Sequence, residues 1–360
     1  MKENPSIQAD TWRRLKKNRG AVFGMVIIFL ALVTAIFSYF LAPDHSPYAN
    51  RMVLEIGGEK PGYHQSFLLI KKPQDVAKTP FVQQLISGKD DRYDWIPIIS
   101  SNQQGDSLII QKFIGDGLAE RQSYFHPPQN KDLKIPSKIF WLGTDRYGRD
   151  ILSRLIIGVR VSLAVGLITV ILSLSIGIFL GALAGYYGGK TDHLIMWFLN
   201  VIWSIPTLLL VFALTLLLGK GFWQVFIAIG LTMWVNVARI VRGQMLAVKE
   251  LEYIEAARAL GYRDSRIILR HILPNILGPV MVIAASNFAS AIVIEAGLSF
   301  LGIGVQPPQP SWGLMIKENY NFIITHNPML ALAPGIAIML LVLAFNLLGN
   351  GLRDALNVKV

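Results

Sequence analysis

The amino-acid sequence predicts an all-α polytopic membrane protein of six transmembrane helices, with a small α/β or β-rich insertion between the first and the second. Three observations carry this. Of 360 residues, 52% are hydrophobic and 16% are charged, against about 25% charged in soluble globular chains. Six apolar segments approach the roughly 20 residues needed to cross a hydrocarbon core of about 30 Å. One polar stretch, Pro43 to about Lys138, separates the first of them from the rest.

Taken in order, residues 1–19 carry Arg13, Arg14, Lys16, Lys17 and Arg19, which by the positive-inside rule belong in the cytoplasm. Residues 20–42 form the first span. Its apolar run is longer than a signal-peptide core, and no clear small-x-small cleavage site follows, so a retained anchor is expected. Residues 43–140 then lie outside. Within them Ser66–Lys71, Tyr93–Ser101 and Ser107–Ile114 are short, Ile-rich and bounded by turn residues, the pattern of strands. A domain this small has a thin core. Two readings of it stay open: a passive structured loop on the outer face, or a docking platform for an external partner.

Residues 141–160 read as an interfacial segment, and 161–351 as the transmembrane core. The core spans are Val161–Tyr187, Leu194–Gly219, Gly221–Ala238, Ile276–Gly304 and Met329–Gly351, uncharged except for Glu295. Helices satisfy their own backbone polar groups in hydrocarbon, so each span is expected to be α-helical. Alternation puts Gly188–His193 inside and Gly219–Lys220 outside. Residues 239–274 fall inside, with Arg239, Arg242, Lys249, Arg258, Arg263, Arg266 and Arg270; Val305–Pro328 falls outside and the tail 352–360 inside. Among the short loops only Lys220 and Lys317 run against this bias.

Several function classes are excluded by composition. The net charge of +11 flanks the spans instead of forming a basic stripe with aromatics, so no nucleic-acid partner is expected. There is no cysteine, and His45, His64, His126, His193, His271 and His326 are scattered without ligand spacing, so neither a metal site nor a cofactor is expected. Ala184-x4-Gly189-Lys190-Thr191 matches a loose phosphate-loop pattern, yet spans flank it on both sides where a strand and a helix are required. The spans hold no paired carboxylates, histidine cluster or activated serine, so no catalytic site is expected.

The polar connection before the fifth span has more structure than a tether. Leu251, Ile254 and Ala257 recur at helical spacing, and the small Ala256 and Ala257 allow a partner surface close approach. Gly261 suits a left-handed helix stop, Asp264 is a candidate N-cap for a second, basic helix, and Leu273-Pro274 opens the span. As the one sizeable cytoplasmic surface, this element is expected to receive force from a soluble partner. Upstream, Asp145, Arg146, Arg149, Asp150 and Arg154 interleave opposite charges; i,i+4 pairs Asp145–Arg149 and Asp150–Arg154 are expected on an interfacial helix. That segment reads as a structural anchor or as a contact for a docked external protein. Glu295 is an ionisable group inside a span, which is functional by default. With Ser299 and Phe300 it reads as a pathway or gate residue, or as a contact to a partner subunit.

Four stretches together resemble one family. They are Leu142-Gly143-Thr144-Asp145-Arg146-Tyr147-Gly148-Arg149-Asp150 with Ser153-Arg154; Gly185-Tyr186-Tyr187-Gly188-Gly189; Glu255-Ala256-Ala257 through Gly261 to Leu273-Pro274; and Glu295 to Gly302 with Pro307-Pro308 and Pro310-Ser311-Trp312-Gly313. Outside Pro43–Lys138 the chain resembles the C-type inner-membrane permease subunits of dipeptide, oligopeptide and nickel importers of the ATP-binding-cassette class. The resemblance implies the type I importer (MetI-like) fold in a bacterial inner membrane, with both termini cytoplasmic. It implies that Glu255, Ala256, Ala257, Gly261, Leu273 and Pro274 couple to two cytoplasmic ATPases. A homologous B-type permease would complete a heterodimer, and an extracytoplasmic substrate-binding protein would deliver the solute. Gly143, Thr144, Asp145, Gly148, Arg149 and Asp150 correspond to the family's segment before the second span. The chain departs from the pattern at His271, where an apolar residue is usual, and at Trp197 and Asn200, where relatives often carry Arg and Asp. The rival readings are a secondary transporter, which calls for internal repeats and broken helices, and a membrane receptor sensing through the insertion.

Overall fold

The computed structural model describes residues 7–73, 79–115, 117–125, 134–219, 221–325 and 327–356. His126, Lys220 and His326, the first six residues and the last four lie outside them. In chain order the elements are α1 (Ile7–Lys17), α2 (Arg19–Ile36), α3 (Ser38–Leu41), β1 (Tyr63–Lys71), α4 (Phe81–Ser87), β2 (Tyr93–Gln104), β3 (Ser107–Gly115), β4 (Leu118–Phe125) and β5 (Ser137–Phe140). Then follow α5 (Ile151–Tyr187), α6 (Gly189–Trp203), α7 (Thr207–Leu218), α8 (Phe222–Lys249), α9 (Glu252–Ala259), α10 (Asp264–Arg266), a π-helical turn Ile267–Ile272, α11 (Leu273–Leu301), α12 (Trp312–Asn319), α13 (Phe322–Thr325) and α14 (Met329–Leu356).

Among the described residues five helices are long and apolar enough to cross a bilayer singly, and the number reaches six if the bent pair α6 and α7 crosses as one span. The third span, expected as one helical segment over Leu194–Gly219, is two helices bent by 89° at Ser204–Pro206. Pro206 lacks an N–H and disfavours helical backbone at the residue before it, so the helix ends ahead of it. Other boundaries shift as well. The second span begins at Ile151, inside the segment read as interfacial; the fourth continues to Lys249; the fifth starts at Asp264, ahead of Pro274.

The chain forms two compact units. The first comprises residues 1–32, 162–306 and 338–360. In it α5 approaches α8 closely at its glycines. A Cβ at Gly181 would stand 2.5 Å from the Ala238 carbonyl oxygen, and one at Gly185 2.8 Å from that of Arg242. Small residues at a four-residue repeat let two helix backbones meet in a bilayer, where van der Waals contact replaces the hydrophobic effect.

The second unit comprises residues 33–161 and 307–337. It contains a five-stranded antiparallel sheet in the order β4-β3-β2-β1-β5. The three expected strands are β1, β2 and β3. Alternation along them builds an apolar cluster on each face, Phe67, Leu69, Phe113 and Phe140 on one and Leu68, Ile98, Leu108 and Ile110 on the other. Pro97 is tolerated in β2 because pairing with β3 starts only at Ile98. Sequence reading missed β4, a polar edge strand, and β5, only four residues long.

Candidate functional site

The connection between α8 and α11 folds onto the first unit as a two-sided element. Ile254 and Ala257 of α9, with Ile267 and Ile272 of the π turn, are buried against Ala182, Tyr186, Val241 and Met245 of α5 and α8. Glu255, Ala256 and Arg258 lie on the exposed side. The two small residues are thus divided: Ala257 serves internal packing, and Ala256 alone of the pair is open to a partner. Leu251, expected on the inner face, is exposed instead.

Gly261 behaves as its residue type demands. Its φ of +75° closes a Schellman motif: the Gly261 N–H donates to Arg258 O at 2.8 Å and the Tyr262 N–H to Ala257 O at 3.2 Å. Tyr262 then packs against the cluster that contains Ala257. His271, the departure from the family pattern, stacks on Tyr262 with ring centroids 5.8 Å apart.

One local expectation is corrected. Arg263, not Asp264, occupies the N-cap of α10 and makes no side-chain cap bond. Asp264 instead accepts a hydrogen bond from the Tyr186 hydroxyl at 2.7 Å. Pro274 does not interrupt the chain of turns; the wide π turn precedes it, the Leu273 N–H reaching back to Ile268 O, so the helix continues through a residue with no N–H to donate.

Tyr186 is the hub of the element. The Arg258 guanidinium lies over its ring at 5.3 Å, and its carbonyl accepts from Lys249 Nζ at 2.9 Å. One residue at the end of α5 thereby holds the end of α8, α9 and α10. Asn275 of α11 adds a link to α9, donating to the Tyr253 hydroxyl at 3.0 Å. Beside this element Arg242 grips Asp192 through two nitrogens, at 2.5 and 2.6 Å, joining α8 to α6. Of the departures early in the third span, Asn200 accepts from Arg239 Nη2 at 2.9 Å and Trp197 is exposed.

A family model described as the binding-protein-dependent transport system inner membrane component matches residues 177–360, a stretch that includes this whole element. The chain belongs to that family. A second model, the N-terminal TM domain of oligopeptide transport permease C, matches residues 6–54. Among curated proteins, the glutathione transport system permease protein GsiD of Pectobacterium atrosepticum is 44% identical over 62% of this chain and 74% of its own. The dipeptide transport system permease protein DppC of Alkalihalophilus pseudofirmus is 42% identical over 68% and 80%. A solved inward-facing MetNI methionine ABC transporter chain is similar at 20% identity and a TM-score of 0.48, over 57% of this chain and 97% of that one. The chain is therefore a non-catalytic, multi-pass inner-membrane permease subunit, whose family works with separate ATPases and a substrate-binding protein.

In the permease, the pattern at Ala184–Thr191 falls where α5 meets α6, with no strand ahead of it. The Gly143–Asp150 motif, in the second unit, is a tight turn and not the expected helix. Asp145 Oδ1 accepts the N–H groups of Tyr147 and Arg149, each at 2.9 Å. Gly143 and Gly148 have positive φ, and a Cβ there would collide with the carbonyl oxygens of Glu59 and Val53. Thr144 is pinned by Ile56 O and the Glu59 N–H.

The charges of this motif pair differently from the helical expectation. Arg149–Asp145 forms at 2.6 Å, but Asp150 caps α5 through the Leu152 N–H at 3.1 Å and meets Lys138 at 3.1 Å. Arg154, fully buried, turns to Glu318 of α12, which Arg149 also contacts at 2.6 Å. Glu318 lies 169 residues beyond Arg149; no local spacing signals that partnership. In the first unit, Glu295 and Ser299 are buried and bonded, Ser299 Oγ donating to Glu295 Oε1 at 2.6 Å and accepting the Val305 N–H at 3.0 Å. Phe300 is exposed.

Proposed function

We propose that this permease forms half of a peptide translocation pathway, paired with a different, B-type permease subunit. The N- and C-termini and the α8–α11 connection face the cytoplasm and the sheet-bearing insertion faces outside. The arginines and lysines of α1 and of residues 239–274 support that orientation. Dipeptide, oligopeptide and glutathione permeases among the relatives support a peptide-like cargo.

One observation carries the coupling role. The α9–Gly261–α10 element is welded to α5, α8 and α11 on its inner side, yet its outer side presents Leu260 at 72% exposure, together with Leu251 and Tyr253. Large apolar side chains left exposed on a polar connection support a protein contact there. Closure of a bound ATPase dimer moves this element, and through Tyr186, Ile254 and Ile272 the movement reaches the spans. Glu255, Ala256, Ala257, Gly261, Leu273 and Pro274 form the coupling element. Glu295 and Ser299 hold the end of α11 in shape, and exposed Phe300 offers surface to the second permease subunit. The sharp turn built by Gly143, Thr144, Asp145, Gly148, Arg149 and Asp150 anchors the start of α5.

The test is uptake of labelled peptides in cells lacking either this chain or the external binding protein, with ATP dependence measured in vesicles. Loss of uptake in both deletions is expected. ATP-independent uptake, or a purified permease that never captures an ATPase, would overturn the proposal. Uptake unchanged by Glu295→Gln excludes a gate at that residue.

A further inference from the structure

The bent third span borders a cleft of about 490 Å³ in the first unit, closed on its other sides by α8, α11 and α14. Five hydroxyl and amide side chains line it: Thr207 at the start of α7, Thr232 and Asn236 on α8, Ser290 on α11 and Asn346 on α14, the last three in the middle of long helices. Those last three are exposed, and among the described residues none of their side chains makes a hydrogen bond. Thr232, also lining the cleft, is spent internally on Ile229 O. An amide without a partner in hydrocarbon is costly, so two asparagines and a serine gathered on one cleft are matched to something polar that enters it. Broken helices occur at membrane depth where they border such a cavity. No lining residue is ionisable.

Resting on the peptide-import reading, we propose that Asn236, Ser290 and Asn346 are specificity-determining residues that hydrogen-bond the main-chain amides of the cargo in transit. An asparagine amide both donates and accepts and so complements a peptide bond, while serine does so through one hydroxyl. Because the lining itself carries no charge, and the nearby Arg239 is engaged over the Trp203 ring and with Asn200, the cleft passes cationic and anionic side chains alike, leaving their selection to other components.

The experiment uses the full complex in proteoliposomes with three labelled tripeptides: a neutral one, one bearing Lys and one bearing Glu. Wild type is expected to carry the Lys and Glu peptides within about twofold of each other, and to slow tenfold or more on a neutral peptide whose main-chain nitrogens are methylated. The double variant Asn236→Leu/Asn346→Leu should lose about tenfold in uptake rate while the ATPase activity stimulated by the binding protein persists. Asn346→Asp should favour the Lys peptide over the Glu peptide by about tenfold. Equal uptake by the Leu double variant, indifference to methylation, or an unmoved Lys/Glu ratio in the Asp variant overturns the assignment. Loss of the second permease subunit on purification of the Leu variant also overturns it, since the asparagines would then be subunit contacts. A wild-type complex that imports no peptide removes the underlying reading too; one that imports peptides normally, with silent substitutions, removes only the cleft residues.

Discussion

Replacing Gly261 tests the proposed coupling role of the α8–α11 connection without touching its packing. A Cβ at this position meets nothing within 4 Å, so a substitution is charged only for its backbone, held at φ +75°. For an L-residue the left-handed region costs roughly 1–2 kcal/mol; asparagine tolerates it better, and a β-branched residue is a genuine outlier there. A penalty of 1–2 kcal/mol shifts a conformational equilibrium by roughly 5- to 30-fold. Here that equilibrium is between the Schellman-closed element, with Tyr262 seated beside Ala257, and a frayed one. The series Gly261→Asn, Ala and Val is therefore expected to rank uptake as near wild type, reduced and abolished, with membrane insertion and yield unchanged. The assay is ATP-driven uptake in proteoliposomes, with ATPase rates measured in parallel to show the ATPases still bound but uncoupled. A Val variant with normal uptake would refute the lever, and so would a series ranked by side-chain volume with Asn as damaging as Val.

Tyr186→Phe keeps the ring under Arg258 and removes the hydroxyl with its bonds to Asp264 and Arg258; coupling, read as solute moved per ATP hydrolysed, should fall several-fold while the ATPase rate is retained. Glu318→Ala leaves Arg149 and Arg154 with Asp145 as their remaining ion-pair partner and should destabilise the second unit by about 3–5 kcal/mol, the usual result of breaking a buried ion pair, read from thermal unfolding in detergent. Burial pushes the Asp44 carboxyl up, but Arg51, Lys138 and the bonds from Ser46 outweigh it and hold the group below its ordinary range. A carboxylate lowered by folding stabilises above its unfolded pKa of 3.8 and loses that contribution as pH falls through the folded value. Protease resistance of the insertion should therefore collapse more steeply below that pH in wild type than in Asp44→Asn.

Legibility in the sequence followed the range of the interaction. Gly261 was readable as a helix stop because the left-handed region excludes most other residues, and Ile254 and Ala257 were readable as the buried face because 3.6-residue periodicity is written locally. Strands β1 to β3 showed through their Ile-rich runs, whereas β4 hid as a polar edge. Asp264 was misassigned for the same reason in reverse: residue type favoured a cap, but the hydroxyl of Tyr186, 78 residues away, offered a better partner. The bend between α6 and α7 is a broken helix of the kind also found in secondary transporters, and family membership decides between the two.

The sequence by itself determined the apolar and polar partition of the chain and the residue types of the α8–α11 connection, since bilayer thickness, backbone hydrogen bonding and allowed dihedrals act on each segment separately. Tertiary structure alone decided that Tyr186 joins three helices, that Arg149 and Arg154 share Glu318, and that Asn236, Ser290 and Asn346 border one cleft. Those are agreements between groups distant along the chain, and only the packing of helix on helix brings them within bonding range.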